Sequence, residues 1–378
     1  MLSAAERERY QRHIALGELG AAGQERLKAA RVLVIGAGGL GSPAAMYLAA
    51  AGVGALGVVD CDRVELSNLQ RQLLFATADV GRPKSAAARE RLAQLNPHIE
   101  IDAHELELRA ANVRAVLGPY DVILDGTDRL ATRYLVNDAC VMLGKPLVSA
   151  AIHRFEGQVM TYLPERGPCY RCLYPEALEG VVANCAEAGV LGVLPGVLGA
   201  IQATEALKLV TGLGEPLLGR LLTYDALEMS FREFPVERRR DCAVCGEQPR
   251  ITALLDQDAR CAAAPEQVRR LAAAQLRDAL CAASSADATQ ALALIDVREP
   301  HEFAIGRLAG SINIPVGDLP RRLAEIRPDA MPVFICRTGK RSLAACELAA
   351  RSGIGRPGHL EGGLLAWVRE IDSTLALD

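Results

Sequence analysis

Short, unbroken apolar runs alternate with longer stretches of helical period along most of this chain. Val32, Leu33, Val34 and Ile35 form one such run, whose length and branched side chains predict a strand over 31–35 buried on both faces. A glycine-rich turn follows, then a helix over 43–51 and a second strand over 55–60, a βαβ unit of about 30 residues. Upstream, 2–30 is amphipathic helical material with a glycine-rich break around 17–23. Downstream, the pattern predicts a helix over 85–95 that stops at Asn96 and Pro97, and strands over 99–103 and 122–125. A helix over 129–142, strands over 146–151 and 157–162, and a helix over 201–210 complete this part. From 249 to 264 no period is visible, and these residues read as a linker. A new unit then begins, with a helix over 265–280, strands over 291–296, 311–314 and 333–335, and a helix over 342–351. Strands alternating with helices predict an α/β protein of two domains, 1–248 with a mainly parallel sheet and a smaller 265–378.

Composition narrows the class. The chain has 378 residues, half of them hydrophobic, enough for two cores. A net charge of −4 and a pI near 6.0 argue against nucleic acid as the main partner, and the basic run Arg238, Arg239, Arg240 is short enough to be a solvated face. The most apolar stretch, 188–203, contains Pro195 and four glycines. It falls short of the ~20 residues a membrane span needs, so a buried helix is expected there and no membrane association. The first residues are acidic and lack an apolar segment, which predicts a cytoplasmic protein. In that setting, eleven cysteines read as metal or catalytic thiols rather than disulfides.

The chemistry concentrates in three places. Gly36, Gly38, Gly39 and Gly41 lie between the first strand and its helix, where glycines let backbone N–H groups approach phosphate at a helix N-terminus. Asp60 ends the next strand, where an acid meets ribose hydroxyls. That fingerprint alone suits a dinucleotide. Arg71 and Lys84 add two cations, with Asn68 beside them, and suit a triphosphate better. The run Asp125, Gly126, Thr127, Asp128 ends another strand at the same sheet edge, where a carboxylate can hold Mg2+. Second, Cys169 with Cys172, and Cys242 with Cys245, form two C-x-x-C pairs whose four thiolates suit a structural Zn2+; two redox pairs are the alternative. Third, Cys336 follows a strand and is followed by Arg337, Thr338, Gly339, Lys340 and Arg341 before a helix begins. Successive N–H groups and positive charge there favour an anionic sulfur. A phosphatase loop is a rival reading, but the loop is the short form that suits sulfur transfer.

Residues 1–250 resemble the MoeB/ThiF/HesA family of adenylating enzymes, relatives of the ubiquitin-activating enzymes. The resemblance is carried by Arg9 to Arg12, Gly36 to Gly41, Ser67 to Gln72, Asp125 to Asp128, Glu156 to Gln158 and Pro168 to Cys172. It implies a Rossmann-like ATP-binding domain in which Asp60 binds ribose, Asn68, Arg71 and Lys84 contact the phosphates, and Asp128 ligates Mg2+. It implies also that Arg12 reaches a partner subunit's site in a homodimer, and that the four cysteines hold Zn2+. The family's acceptor is the C-terminal Gly-Gly carboxylate of a ubiquitin-like sulfur carrier protein, which attacks the α-phosphate and releases pyrophosphate. Cys185, in a loop of small and polar residues, is either inert or, as in sulfur-transferring relatives, the nucleophile that links to the carrier.

Leu294 to Phe303, Gly310 to Pro315, Cys336 to Ser342, Gly362 to Leu364 and Trp367 resemble a single rhodanese domain over about 265–375. That resemblance implies a persulfide on Cys336, supplied by a cysteine desulfurase or thiosulfate. Together the two predict ATP-dependent adenylation of the carrier followed by sulfur transfer to a thiocarboxylate. The competing readings are a NAD-linked oxidoreductase with a regulatory rhodanese module and a ubiquitin-like conjugation activator without sulfur transfer.

Overall fold

The computed structural model describes residues 1–175, 189–256, 268–283, 291–327 and 330–377. The described residues before Asp258 form one compact unit and those after Ala259 another.

The first unit is built on an eight-stranded sheet ordered β3-β2-β1-β4-β5-β6-β7-β8. Its strands are β1 (Arg31–Ile35), β2 (Ala55–Val59), β3 (Glu100–His104), β4 (Val122–Asp125), β5 (Leu147–His153), β6 (Glu156–Tyr162), β7 (Arg220–Asp225) and β8 (Ser230–Pro235). β3 to β5 in that order are parallel, and β6, β7 and β8 extend the sheet antiparallel. Alternation along β1 explains its unbroken hydrophobicity. Val32 and Val34 pack into one core with Leu48, Leu124, Leu194 and Leu198, while Leu33 and Ile35 pack into a second with Ile123, Leu135 and Val136. The order reverses between β1 and β4, so the loops that leave their C-terminal ends splay apart into a crevice.

The apolar stretch around 188–203 becomes a helix, Leu194–Thr211, longer than the expected 201–210. Pro195 sits in its first turn, where a missing N–H does no harm. Gly199 lets it cross the helix Gly41–Ala51 closely, since a Cβ there would lie 2.5 Å from Leu40 O. Among the described residues no helix is long and apolar enough to cross a membrane. The glycine-rich break near the N-terminus is shorter than expected. Gly20 and Gly23 lie inside a helix, Gly20–Ala29. Residues 250–256 lie on the first unit, where Ile251 and Leu254 pack on its second core and Asp256 accepts a hydrogen bond from the Ala110 N–H.

The second unit holds a five-stranded parallel sheet ordered β11-β10-β12-β13-β9. Its strands are β9 (Arg269–Leu271), β10 (Ala291–Asp296), β11 (Ile312–Asn313), β12 (Ala330–Ile335) and β13 (Gly358–Leu360). A single helix over 265–280 was expected at its start. Instead β9 comes first and the helix Ala273–Ala283 follows, because Leu271 is drawn into the core as part of an edge strand. The helices Lys340–Arg351 and Gly363–Glu370 pack on opposite cores.

Beside Cys336's strand, Asp296 and Arg298 form a buried pair at 2.7 Å, both side chains almost fully enclosed. Arg298 also donates to Gly306 O, and Asp296 accepts its own neighbour's N–H. Asp296→Ala strands a guanidinium in the interior and is expected to cost about 3–5 kcal/mol. The chain's single tryptophan, Trp367, is buried in this unit's core, so its fluorescence during urea unfolding reads that loss.

Candidate functional site

The turn after β1 is set by backbone packing. Gly36 takes φ +84°, and a Cβ on Gly41 would fall 1.7 Å from Gly36 O. No side chain fits there, so the chain returns on itself and the helix Gly41–Ala51 starts facing the crevice. Ser42 locks the turn through its hydroxyl to Ala37 O and its N–H to Gly38 O. Across the crevice the Gly126 N–H bonds to Ile35 O, joining the turns after β1 and β4.

Asp60 stands just beyond β2. Its two oxygens accept the N–H groups of Ala37 and Asp62, each at 2.8 Å. Burial pushes its carboxyl above the ordinary value, opposed by the positive charge of Lys84. Each oxygen keeps a further lone pair for another hydrogen-bond donor. Lys84 opens the helix Lys84–Leu95 and is itself buried. Its ammonium rests on the Asp62 carboxylate at 3.1 Å, and its N–H on Asp62 O. Arg71 is half-buried and donates to Ser67 O, which tethers its guanidinium over the 3-10 turn Leu66–Asn68. Asn68 is buried in that turn and donates to Ser67 Oγ.

The end of β4 carries two carboxylates of different character. Asp125 is fully buried, accepts from Thr127 N–H and Ser149 Oγ, and lies 3.6 Å from Arg133. Burial pushes its carboxyl up, and Arg133 opposes that. Asp128 is exposed. Sequence reasoning did not single out Asp62, Arg133, Ser149 or Gln202, and placed Asp125 only within the stretch that ends at Asp128. Gln202 donates to both Asp125 O and Val148 O, which pins the crevice floor to the helix Leu194–Thr211. The Gln72 side chain, beside Gly38, is buried with its Oε1 unpartnered. Arg12 is exposed on the helix Gln11–Ile14.

Cys169, Cys172, Cys242 and Cys245 are buried together, every sulfur within 4.8 Å of the others. Cys172 and Cys245 lie 3.4 Å apart at their sulfurs, and Cys169 and Cys172 4.0 Å. A tetrahedral Zn–S4 centre with bonds near 2.3 Å places sulfurs about 3.8 Å apart, so the cluster fits that ion. Hydrogen bonds from Cys169 hold the Cys172 thiol low, at about 7, and the Arg239 N–H adds to this. The knuckle is tied to the nucleotide unit through Arg171, which pairs with Asp138 at 2.7 Å, and through the Tyr170 N–H, which bonds to Asn137. Cys185 lies outside the described residues.

In the second unit Cys336 is buried at the end of β12. Its sulfur accepts the Gly339 N–H at 3.1 Å and the Ser342 N–H at 3.3 Å. Gly339 takes φ +92°, and a Cβ there would lie 2.9 Å from the Gly362 N. Gly363 is similarly constrained, with a Cβ falling 2.4 Å from Cys336 O. The Gly362–Gly363 turn can therefore seat under the loop, where the Leu364 N–H bonds to Cys336 O. Arg341 is drawn away from the sulfur into a two-pronged pair with Glu302 at 2.7 and 2.8 Å. Burial raises the Glu302 carboxyl, and the Arg341 hydrogen bonds, the Glu299 N–H and the charges of Arg341 and Arg298 together leave it below its ordinary value. Arg337 is half-buried and Thr338 exposed, and Lys340 begins the following helix.

Residues 10–244 match the ThiF family, and 278–370 match the rhodanese-like domain. The chain belongs to the ThiF family. Among its relatives is MoeZ of Mycobacterium tuberculosis, named as a probable adenylyltransferase/sulfurtransferase, 44% identical over 100% of this chain and 96% of that protein. The sulfur carrier protein adenylyltransferase of Thermus thermophilus is 53% identical over 68% of this chain and 97% of that one. A crystal structure of E. coli MccB with MccA-N7isoASN superposes at TM-score 0.58, with 25% identity, over 63% of this chain and 75% of that one. The ThiF match accords with the turn after β1, and the rhodanese match with the loop around Cys336.

The turn after β1 is the most restrictive element of the crevice. Gly41→Ala, whose Cβ meets backbone rather than a movable side chain, is expected to lose tenfold or more in ATP affinity, about 1.4 kcal/mol. Thermal unfolding with and without ATP measures it, and an unchanged ATP-dependent stabilisation contradicts the assignment.

Proposed function

We propose that this protein adenylates the C-terminal Gly-Gly carboxylate of a ubiquitin-like sulfur carrier protein and then converts it to a thiocarboxylate. The observation that carries this reading is the presence in one chain of two anion-holding turns, the glycine turn beside Asp60 and Lys84 and the Cys336 loop with two N–H groups on its sulfur. The ThiF and rhodanese-like matches, with relatives named as adenylyltransferase/sulfurtransferase, support reading the first turn as the adenylating site and the second as the sulfur site.

A carboxylate is a poor electrophile, and an acyl-adenylate supplies it with a good leaving group. In this reading the ribose sits on Asp60, and the phosphates lie over the turn 36–41, with Gly36, Gly38, Gly39 and Gly41 leaving its N–H groups accessible. Asn68, Arg71 and Lys84 take the charge on the phosphates. Lys84 exchanges Asp62 for a phosphate oxygen. Asp125 is occupied by Thr127, Ser149 and Arg133, which leaves the exposed Asp128 as the carboxylate to hold Mg2+, the ion that neutralises the departing pyrophosphate. Arg12, exposed near the N-terminus, completes the site of a second subunit in a homodimer. Zn2+ on the four cysteines holds the chain after β6 against the strand ends and takes no part in the chemistry.

The Cys336 thiolate takes the sulfane sulfur of a cysteine desulfurase persulfide, whose cysteine leaves as thiolate, or of thiosulfate, which leaves as sulfite. The added sulfur extends its reach by about 2 Å out of a buried pocket. The terminal sulfur then attacks the acyl-adenylate and displaces AMP. Cys185 is the thiol that links to the carrier, or that attacks the Cys336 sulfur of the resulting acyl disulfide, which releases the thiocarboxylate and leaves a Cys185–Cys336 disulfide for an external thiol to reduce. The domains are 1–248 and 265–378, tethered through 249–264 so that the persulfide is at high effective concentration around a short-lived adenylate. A protein of this kind works in the cytoplasm.

Exchange of labelled pyrophosphate into ATP tests the first half. Exchange is expected only with a carrier ending in Gly-Gly, and Lys84→Ala is expected to reduce it about 100-fold. Protection by NAD rather than ATP, or exchange indifferent to Lys84, overturns the reading.

A further inference from the structure

Among the buried polar side chains described in the second unit, one belongs neither to the Asp296–Arg298 pair nor to the sulfur-transfer reading. His359 lies in the middle of β13 and is buried. β13 pairs with β12 in parallel, His359 against Phe334, so His359 shares a sheet face with Phe334 and, two residues on, with Cys336. That face is otherwise apolar, formed by Ile295, Phe334, Ala345, Cys346 and Ala349. An imidazole there leaves Nε2 buried without a partner, a cost that an apolar residue of similar size would avoid.

The other ring nitrogen, Nδ1, lies 3.5 Å from Ser342 Oγ, and the Leu360 backbone is also close to the ring. Ser342 is the residue that reaches Cys336 twice, with its N–H at 3.3 Å and its hydroxyl at 3.5 Å from Sγ. The hydroxyl has a single proton, which here points to Gly339 O at 3.0 Å, while its oxygen accepts from the thiol. When the sulfur is anionic it has no proton to give, and the hydroxyl must turn its own proton from Gly339 O to the sulfur. The Ser342 oxygen then needs another donor. His359 Nδ1–H is placed to be that donor. Burial and the neighbouring Arg270 hold the histidine below its ordinary pKa, opposed by Glu361 just beyond β13 and by the Leu360 backbone, a balance that favours the neutral ring with one nitrogen carrying the proton.

We infer that His359 is a positioning residue of the sulfur loop, holding the Ser342 hydroxyl so that it donates to the anionic sulfur of Cys336. The assignment rests on the reading of Cys336 as the sulfur carrier. It concerns the thiolate itself, which can be measured whether or not sulfur is transferred.

The test uses the full chain and follows, by peptide mass spectrometry, iodoacetamide alkylation of Cys336 at neutral pH. The variants are His359→Asn, His359→Gln and His359→Leu. An asparagine amide can donate from near the Nδ1 position, whereas a glutamine amide falls near Nε2. The expected result is that Asn keeps the alkylation rate within about twofold while Gln and Leu slow it about fivefold or more. In thiosulfate–cyanide turnover, kcat is expected to fall in the same order with KM unchanged. A merely structural role predicts the opposite sign, because loosening the loop exposes a buried sulfur and speeds alkylation. Faster alkylation in Gln and Leu, or equal rates in Asn and Gln, overturns the assignment. If His359→Leu fails to fold, the Asn and Gln pair still decides. If no variant, wild type included, turns over thiosulfate while the alkylation order holds, the sulfur-transfer reading fails and the positioning role stands.

Discussion

Backbone N–H groups can hold an anion firmly only if the backbone itself cannot move, and both reactive centres of this chain depend on that constraint. In each unit a strand covered on both faces ends at a turn with no room for a side chain. At Gly41 the obstacle is Gly36 O, and at Gly339 and Gly363 it is the backbone of the facing turn. A helix begins directly after each turn and its free N–H groups point into the same space. The stiffness comes from the sheets. β1 and β12 are each the centre of two cores, so the ends of these strands have no freedom to drift.

Charge is placed around these turns by side chains that are already engaged. Lys84 is buried on Asp62, Arg133 on Asp125 and Arg341 on Glu302. A buried cation with a carboxylate partner is held at one position, and for Lys84 that position borders the crevice where phosphates would add negative charge. The four-cysteine knuckle extends this order to the far side of the sheet. Arg171 and Tyr170, next to Cys169 and Cys172, bond to Asp138 and Asn137 on the helix Leu130–Leu143, which also carries Arg133. Arg133 in turn donates to Ser149 and Thr127 at the crevice. The knuckle and the crevice are thus joined by two turns of one helix.

Much of this was legible in the chain itself. The run at β1, the spacing from the glycine turn to Asp60 and the loop after Cys336 are local signals, and each marks a place where strand, turn and helix follow one another. What escaped was tertiary in origin. Pro195, Gly196 and Gly199 look like helix breakers, yet the first fits a helix start and the last is needed for two helices to touch. β9 and β13 have three residues each, too short for any alternation to show, and exist because β12 and its neighbours template them. β8 is mostly exposed, with Phe231 and Phe234 open to solvent, and carries no buried-strand pattern. Asp62, Ser149, Gln202 and His359 acquire roles only through neighbours distant in sequence, so no spacing rule points to them.

One chain both activates a carboxylate and replaces one of its oxygens with sulfur, and the direct measurement of this is the intact mass of a Gly-Gly carrier after incubation with the full-length protein, ATP, Mg2+ and a persulfide donor. The expected product is a carrier in which one carboxylate oxygen has become sulfur, formed only when ATP is present and lost in Cys336→Ser. A carrier that reaches the adenylate but never gains sulfur, or one that gains sulfur equally well without Cys336, would contradict it.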